Sequence, residues 1–560
     1  MSVQGLASLP PLASLMPSRR DYAGLRRSWR GDVLAGATVG VVALPLALAF
    51  GITTGLGAEA GLTTAIVAGL VAAVFGGSNV QVSGPTGAMT VVLVPVVARH
   101  GADAVLVVGI MAGLLVLAAA VLRLGRYLAF VPWPVVEGFT VGIAVIIFLQ
   151  QVPSALGVTK PDGENTALVA AKAIDEAVGS GRIAALMVVA LVAAVMVVVP
   201  RLHRSLPASL LAVAAATAIC ELGSIDVARI GSLPGSLPLP SLPSLPLDQV
   251  SQLFSAALAV AILAALESLL SAKVADGMSD AGRHDPDREL LGQGLANIAS
   301  PLFGGMPATG AIARTAVNVR SGARTRVAAV THAVVLMAVV LFAGDLVSRI
   351  PLAALAGVLM VTACRMVEVH NVRAVARATR SDAVVLWLTA LATVAFDLIM
   401  AVEIGIAAAA VLALRHVART AQATPTPVTE LGQDQAESLL NEGILTYRLD
   451  GALFFGAAQR FLTELTAISD AKVVVLRLPD IQMLDATGAQ ALGEIVAELE
   501  DRGITVLLKG PRPGHLRVLE VTGALDRLAH ANHVFDDLGA ALEHARSHVA
   551  RAPIKTPAPA

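Results

Sequence analysis

Charge is what this chain has least of. Only 14% of its 560 residues are Asp, Glu, Lys or Arg, against 56% hydrophobic, and the mean hydropathy is +0.75. Soluble domains carry about 25% charged residues, and single soluble cores stop growing at about 250–300 residues. A large soluble enzyme is thereby excluded, and much of the surface must face lipid. Cysteine is nearly absent as well. Cys220 and Cys364 lie far apart in or beside apolar stretches, which excludes a disulfide framework or a cysteine metal site. The net charge of −1 points to no nucleic-acid partner. A cleavable signal is not expected, because the apolar start is broken at Pro10-Pro11 and Arg19, Arg20, Arg26, Arg27 and Arg30 follow it.

Long apolar runs are abundant. A spanning helix needs about 20 mostly apolar residues. Strong candidates lie near 33–52, 61–76, 102–122, 134–150, 180–200, 206–222, 252–271, 324–344, 349–367, 381–396 and 398–414, with a weaker one near 288–303. Two short segments, 86–98 and 309–319, open with Pro and Gly. The total is about fourteen passes. With the arginine-rich start inside, alternate loops hold Arg123/Arg126, Arg201/Arg204, Arg320/Arg324/Arg326, Arg365/Arg373/Arg377/Arg380 and Arg415/Arg419. That is the positive-inside pattern of a multi-pass membrane protein with both termini inside; the expected location is a bacterial-type cytoplasmic (inner) membrane. Arg99 and Arg349 depart from it.

The expected organisation is a cytoplasmic N-terminal segment (1–30), a transmembrane domain (31–420), a linker (421–440), a cytoplasmic α/β domain (441–548) and a disordered tail (549–560). The α/β pattern reads as strands at 443–449, 451–455, 472–478 and 504–509, with helices at 459–467 and 488–502. No nucleotide-binding, enzymatic or metal-ligand constellation is visible there, and no cofactor is expected.

The transmembrane part repeats itself, over about 31–230 and 250–420. Ala43-Leu44-Pro45-Leu46-Ala47-Leu48, Phe75-Gly76-Gly77 and Pro85-Thr86-Gly87-Ala88 recur as Ala265-Leu266-Glu267-Ser268-Leu269-Leu270, Phe303-Gly304-Gly305 and Pro307-Ala308-Thr309-Gly310-Ala311. The offset spans about seven passes, an odd number, so the copies are inverted across the bilayer. Short, Gly/Pro-interrupted segments at matching positions of inverted halves mark a midplane site. A helix that starts inside the membrane leaves its first N–H groups without partners and carries roughly +0.5 charge there. Two such starts, at Thr86-Gly87-Ala88 and Thr309-Gly310-Ala311, would make a positive pocket for an anion.

Glu267 stands in an otherwise uncharged helix, where a carboxylate costs about 2.5 kcal/mol or more unless protonated or paired. Proton uptake there would couple transport to a proton gradient; the alternative is a structural carboxylate bonded to Ser271 or a backbone amide. Glu137, Asp397 and Glu403, nearer helix ends, read as packing or interfacial groups. Arg314 either raises the positive potential of the pocket, pairs with a carboxylate such as Glu267, or snorkels to the interface.

The runs GDVLAGATVGVVALPLALAFGITTGL, QVSGPTGA, VPWPVVEGFTVGIAV and GGMPATGAIART resemble the SulP family of anion transporters, and the C-terminal part resembles a STAS domain, over about residues 19–548. The resemblance implies a mainly α membrane protein of fourteen transmembrane segments in a 7+7 inverted repeat. It implies too that core and gate domains move relative to each other, that the soluble α/β STAS domain follows, and that the protein forms a homodimer in the lipid bilayer, as members of the family usually do. Family anion positions fall on Leu46, Phe50, Thr86, Gly87, Ala88 and Ala311, Ile312, Ala313 and Arg314. Several relatives have glutamine where Leu46 stands. Sodium-coupled members place an ion site at the positions of Glu267, Ser271, Gly310, Ala311 and Ile312. Ile312 has no oxygen to offer, which favours protons over sodium. In the STAS-like loop Asp485-Ala486-Thr487-Gly488, Ala486 replaces a phosphorylatable serine, and Thr487 is expected to cap the next helix. The expected function is proton-coupled transport of sulfate, bicarbonate or a dicarboxylate. The alternatives are an uncoupled or sodium-coupled exchanger or channel, or a membrane-tethered STAS sensor; an enzyme is not expected.

Overall fold

The computed structural model describes residues 15–17, 21, 25–126, 132–163, 165–180, 183–202, 206–233, 235–241, 247–279, 281–396, 398–420, 422–425, 433–453 and 471–551. The chain divides into two compact units, Met1–Ile406 and Ala407–Ala560.

Each segment read as spanning or broken in the sequence contains a helix among the described residues. In the first half these are α1 (Leu25–Thr54), α2 (Ala58–Phe75), α3 (Gly87–His100), α4 (Asp103–Val121), α5 (Trp133–Gln150), then α6 (Val152–Leu156) and α7 (Thr166–Ser180), α8 (Ala184–Leu202) and α9 (Ala208–Leu222). The second half holds α10 (Leu247–Met278), α11 (Pro286–Leu302), α12 (Ile312–Arg320), α13 (Val327–Phe342), α14 (Gly344–Ser348), α15 (Leu352–Met366), α16 (Val369–Ala378), α17 (Arg380–Ala395) and α18 (Leu398–Thr420). Seven stretches among the described residues are helices long and apolar enough to cross a membrane. Helices α7 and α16 were not anticipated. They are too short and polar to span, and α16 presents Val369, Val372 and Val375 at helical spacing, with Val375 buried. Such amphipathic helices suit a bilayer interface.

Packing carries the signature of the repeat. Helix α4 lies against α10 and α11, while α13 lies against α1 and α2, so each half lends its fourth helix to the other. A second bundle is built the same way, α5 against α17 and α8 against α15. Glycines permit the approach. A Cβ on Gly61 would sit 1.9 Å from the Ala47 carbonyl oxygen, and one on Gly36 would sit 2.2 Å from that of Ala328. Helices in lipid gain association energy from such close contact rather than from water release. Buried acids close the turns: Asp32 accepts from the Arg324 and Thr325 amides (2.7 and 3.0 Å), and Glu289 from those of Gly77 and Ser78 (2.8 and 3.0 Å).

The second unit is a six-stranded mixed sheet, ordered β3 (Gln422–Pro425), β4 (Ile444–Leu453), β5 (Val473–Arg477), β7 (Thr505–Lys509), β8 (Val534–Phe535), with β6 (Ile481–Leu484) also paired to β4. The stretch 421–440 is therefore not a featureless linker: β3 pairs antiparallel with β4, and Gln433–Asn441 is helical. The two strands expected at 443–449 and 451–455 are one strand up to Leu453. Its pairing with β6 shifts register at Gly451/Ala452, where the successive partners are Ile481 and Met483, so the extra residue, Gln482, is on β6; Gly451 takes a φ of 93°. The helix expected at 459–467 lies outside the described residues. Leu449, Val474, Leu476 and Val506 pack one sheet face onto Ala486–Asp501, and Val473, Val475 and Leu507 pack the other onto Leu538–Arg551. That last helix reaches into the segment expected to be a disordered tail.

Candidate functional site

Two short strands make the centre of the first unit. In β1 (Ser83–Gly84) and β2 (Thr309–Gly310), Ser83 stands opposite Gly310 and Gly84 opposite Thr309, antiparallel. Helix α3 follows β1 after two residues and α12 follows β2 after one. Since the strands run in opposite senses, the helices leave the ladder in opposite directions and their N-termini converge on it. The first-turn amides, Gly87 and Ala88 on one side and Ile312, Ala313 and Arg314 on the other, have no carbonyl one turn back.

The second start is shifted from the expected one. Thr309-Gly310-Ala311 does not open α12; it forms the ladder and the cap. The Gly310 amide donates to Ser268 Oγ (2.9 Å), the Ala311 amide to the Val82 carbonyl (2.9 Å), and the Thr309 hydroxyl contacts Ser268 Oγ (2.9 Å) and the Ala264 carbonyl (3.2 Å). These groups are consumed by structure, so the exposed helix end begins at Ile312. Ile312 and Ala313 are exposed.

Arg314 is buried, and its Nη2 donates to the Pro85 carbonyl across the ladder at 2.5 Å. Its Nη1 has no hydrogen-bond partner. A Cβ on Gly84 would fall 2.6 Å from that nitrogen, so the glycine makes room for the guanidinium. Arg314 thus neither snorkels nor bonds Glu267. The half-buried Glu267 accepts instead from Thr86 Oγ1 (3.0 Å), and Thr86 is the N-cap of α3. Ser271 does not touch Glu267; its hydroxyl donates to Thr315 Oγ1 (3.1 Å). Phe50 is buried beside Gly87, 3.4 Å from where a Cβ would stand, and Leu46 is half-buried on the same helix. Glu137 has a structural role, accepting from Trp133 Nε1 (2.9 Å). Asp397 and the Glu403 side chain lie outside the described residues.

A polar face of α11 supports the crossing, and sequence reasoning missed it. Gln293 donates to Ser83 Oγ (2.6 Å), Asn297 exchanges two bonds with the Ala308 backbone (2.8 and 2.9 Å), and Ser300 donates to the Met306 carbonyl (2.8 Å). The signal was present: Glu289, Gln293 and Asn297 recur every fourth residue on one helix face. A cavity of about 150 Å³ lies further along α3, lined by Thr53, Val94, Gln150, Gln151 and Lys160 among others.

In the second unit Asp485, not Thr487, caps the helix Ala486–Asp501; its Oδ1 accepts from the Gly488 amide (2.7 Å). The helix starts at Ala486, two residues earlier than a cap at Thr487 would allow. Gly488 admits the Leu453 carbonyl, 2.1 Å from where its Cβ would be. Against the expectation of no metal-ligand cluster, His533, His544 and His548 converge there, with ligand atoms all within 4.8 Å of one another.

The chain was compared with known proteins. The sequence profile of the sulfate permease family matches residues 29–389, and that of the STAS domain matches residues 435–541. The chain is 35% identical over 520 residues to "Putative sulfate transporter YvdB" of Bacillus subtilis, covering 91% of this chain and 96% of that protein. It is 32% identical over 537 residues to "Bicarbonate transporter BicA" of Synechocystis, covering 93% and 94%. Among solved structures, the BicA transmembrane domain superposes with a TM-score of 0.62 at 32% identity, covering 69% of this chain and 98% of that one. Murine Slc26a9, an anion transporter in the inward-facing state, superposes with a TM-score of 0.81 over 98% of this chain and 96% of that one, at 16% identity, a likeness of fold. The chain therefore belongs to the sulfate permease family of membrane transporters, not to an enzyme family, and carries a STAS domain at its C-terminal end.

Proposed function

We propose that this protein is a secondary active transporter that binds a small anion, such as sulfate, bicarbonate or a dicarboxylate, between the N-termini of α3 and α12. The carrying observation is the antiparallel pairing of Ser83–Gly84 with Thr309–Gly310, which turns two sets of unpartnered amides toward one point beside the free Nη1 of Arg314. Amide dipoles and one guanidinium in a low-dielectric setting suit a compact anion. Leu46 adds no donor, so the anion contacts are backbone amides and Arg314, with Phe50 walling the site. The names of the relatives, a sulfate and a bicarbonate transporter, agree with this chemistry.

In this reading the chain makes fourteen passes with both termini and the STAS domain in the cytoplasm. The bundle of α1–α4 and α10–α13 is the moving core, the bundle of α5, α8, α9, α15, α17 and α18 is the gate, and the chain works as a homodimer by an elevator-like motion. Glu267 reports anion occupancy through Thr86: bonded to the α3 cap, it takes up a proton with the anion. The Thr86 bond favours one rival, in which Glu267 only orients the cap and the protein exchanges anions without coupling. Uptake into proteoliposomes under an imposed pH gradient decides between them. Proton-coupled transport follows the gradient in the parent protein and loses that dependence in Glu267→Gln. Flux that ignores the gradient in both proteins supports the exchanger.

A further inference from the structure

The STAS unit holds a feature that anion transport leaves unused. Four of the chain's eleven histidines, His530, His533, His544 and His548, fall within one short stretch near its end. His544 and His548 are one turn apart on the helix Leu538–Arg551, so both rings project from the same face. That helix packs on the sheet beside β8, and His533 immediately precedes β8. The rings cluster: His533 lies 5.4 Å from His544 and 5.1 Å from His548, centroid to centroid, and His530 lies 5.2 Å from His533.

Two details suit a metal better than packing. First, His544 Nε2 and His548 Nε2 are 3.2 Å apart. Zinc–imidazole bonds are about 2.0–2.1 Å long, so two nitrogens on one tetrahedral ion stand about 3.3 Å apart. Second, His533 is fully buried, and apart from an approach to the Val506 backbone that falls short of good hydrogen-bond geometry its ring nitrogens have no partner. A buried polar group without a partner is expensive, and a metal bond removes that cost. The spacing H-x2-H, then H-x3-H on a helix, is of the kind that zinc sites use.

We propose that His533, His544 and His548 form a binding site for a divalent transition-metal ion of the zinc class, which ties the last helix of the STAS unit to the segment entering β8. An all-imidazole set selects zinc, copper, nickel or cobalt over magnesium and calcium. Exposed His530 stands beside the trio as a candidate fourth ligand, water being the alternative.

The test uses the purified full-length protein, without a histidine tag, titrated with zinc alone by calorimetry and with cobalt as a spectroscopic probe. One ion per chain is expected, with a tetrahedral cobalt spectrum. His544→Ala and His548→Ala should each weaken binding at least tenfold and abolish that spectrum. His548→Gln, which keeps a polar side chain, repeats the test if the alanine variant unfolds. The absence of stoichiometric binding overturns the proposal. So does binding that survives all three substitutions, as it would if the His284–Asp276 pair held the ion.

Discussion

The two broken helices follow one backbone plan and differ in what stands at their tips. Helix α3 is capped by a threonine whose hydroxyl is committed to a carboxylate, and its first turn is buried under Phe50 and Ile147. Helix α12 is capped by Ala311, which has no side chain to cap with, and its first turn is exposed and carries the buried Arg314. Both charged groups of the crossing, Glu267 and Arg314, come from the second repeat. The first supplies Gly84, whose missing Cβ makes room for Arg314, and Thr86, which bonds Glu267. An inverted repeat thus fixes where two dipoles meet, while divergence between its halves sets the charge at the meeting point.

That asymmetry can be broken at several places. The largest effect is expected at Arg314: Arg314→Gln removes the only charged donor at the crossing among the described residues, and truncating a buried, hydrogen-bonded charge costs about 2–5 kcal/mol. Anion affinity should fall by roughly two orders of magnitude or more in titrations of the purified protein, while the membrane fold, read by circular dichroism, persists. Next come the serines of α10. Ser268→Ala leaves the Gly310 amide and the Thr309 hydroxyl short of a partner, a cost of about 1–3 kcal/mol. Ser271→Ala should be milder because the Thr315 hydroxyl still bonds the Val82 amide. Thermal unfolding in detergent should rank Ser268→Ala below Ser271→Ala.

Most of the architecture was legible because lipid imposes long apolar runs, and because the Gly/Pro breaks at 85–88 and 307–311 have no other use inside a bilayer. The exact start of α12 was not legible. Matching the two Thr-Gly-Ala triplets aligns letters, but in the second copy Thr309 and Gly310 are held in the ladder by Ser268, a residue distant in sequence. A bond from Ser271 to Glu267, one turn away on α10, was one of the alternatives open in the sequence, and the Ser271 hydroxyl donates to Thr315 instead. The histidine cluster was missed because its members meet only after the sheet brings the segment before β8 against the last helix. In the STAS unit, hydrophobic alternation located the buried strands but could not reveal that the chain passes through Gly451 without leaving the sheet.

The STAS unit offers smaller tests of the same contrast between committed and uncommitted groups. In the metal-free protein burial holds the folded His533 down to about 4, against its ordinary 6.5 when unfolded, so the unfolded chain binds the proton first as pH falls. Stability of this unit should be highest above about pH 6.5 and decline between about 6.5 and 4. Thermal unfolding of the full-length protein at pH 7.5 and 5 should show its transition moving down, and His533→Gln should flatten the dependence. The smallest effect is expected at Asp485→Ala, which removes the cap on the Gly488 amide and should cost about 1 kcal/mol, read as a lower melting temperature without loss of anion binding.

The most direct measurement is an experimental structure with a heavy anion such as selenate bound. Density for the anion should lie within hydrogen-bond distance of the amides of Gly87 or Ala88, of the amides of Ile312 to Arg314, and of Arg314 Nη1. An anion seated instead in the cavity beside Lys160 and Gln150, with the ladder between β1 and β2 left bare, would contradict the account.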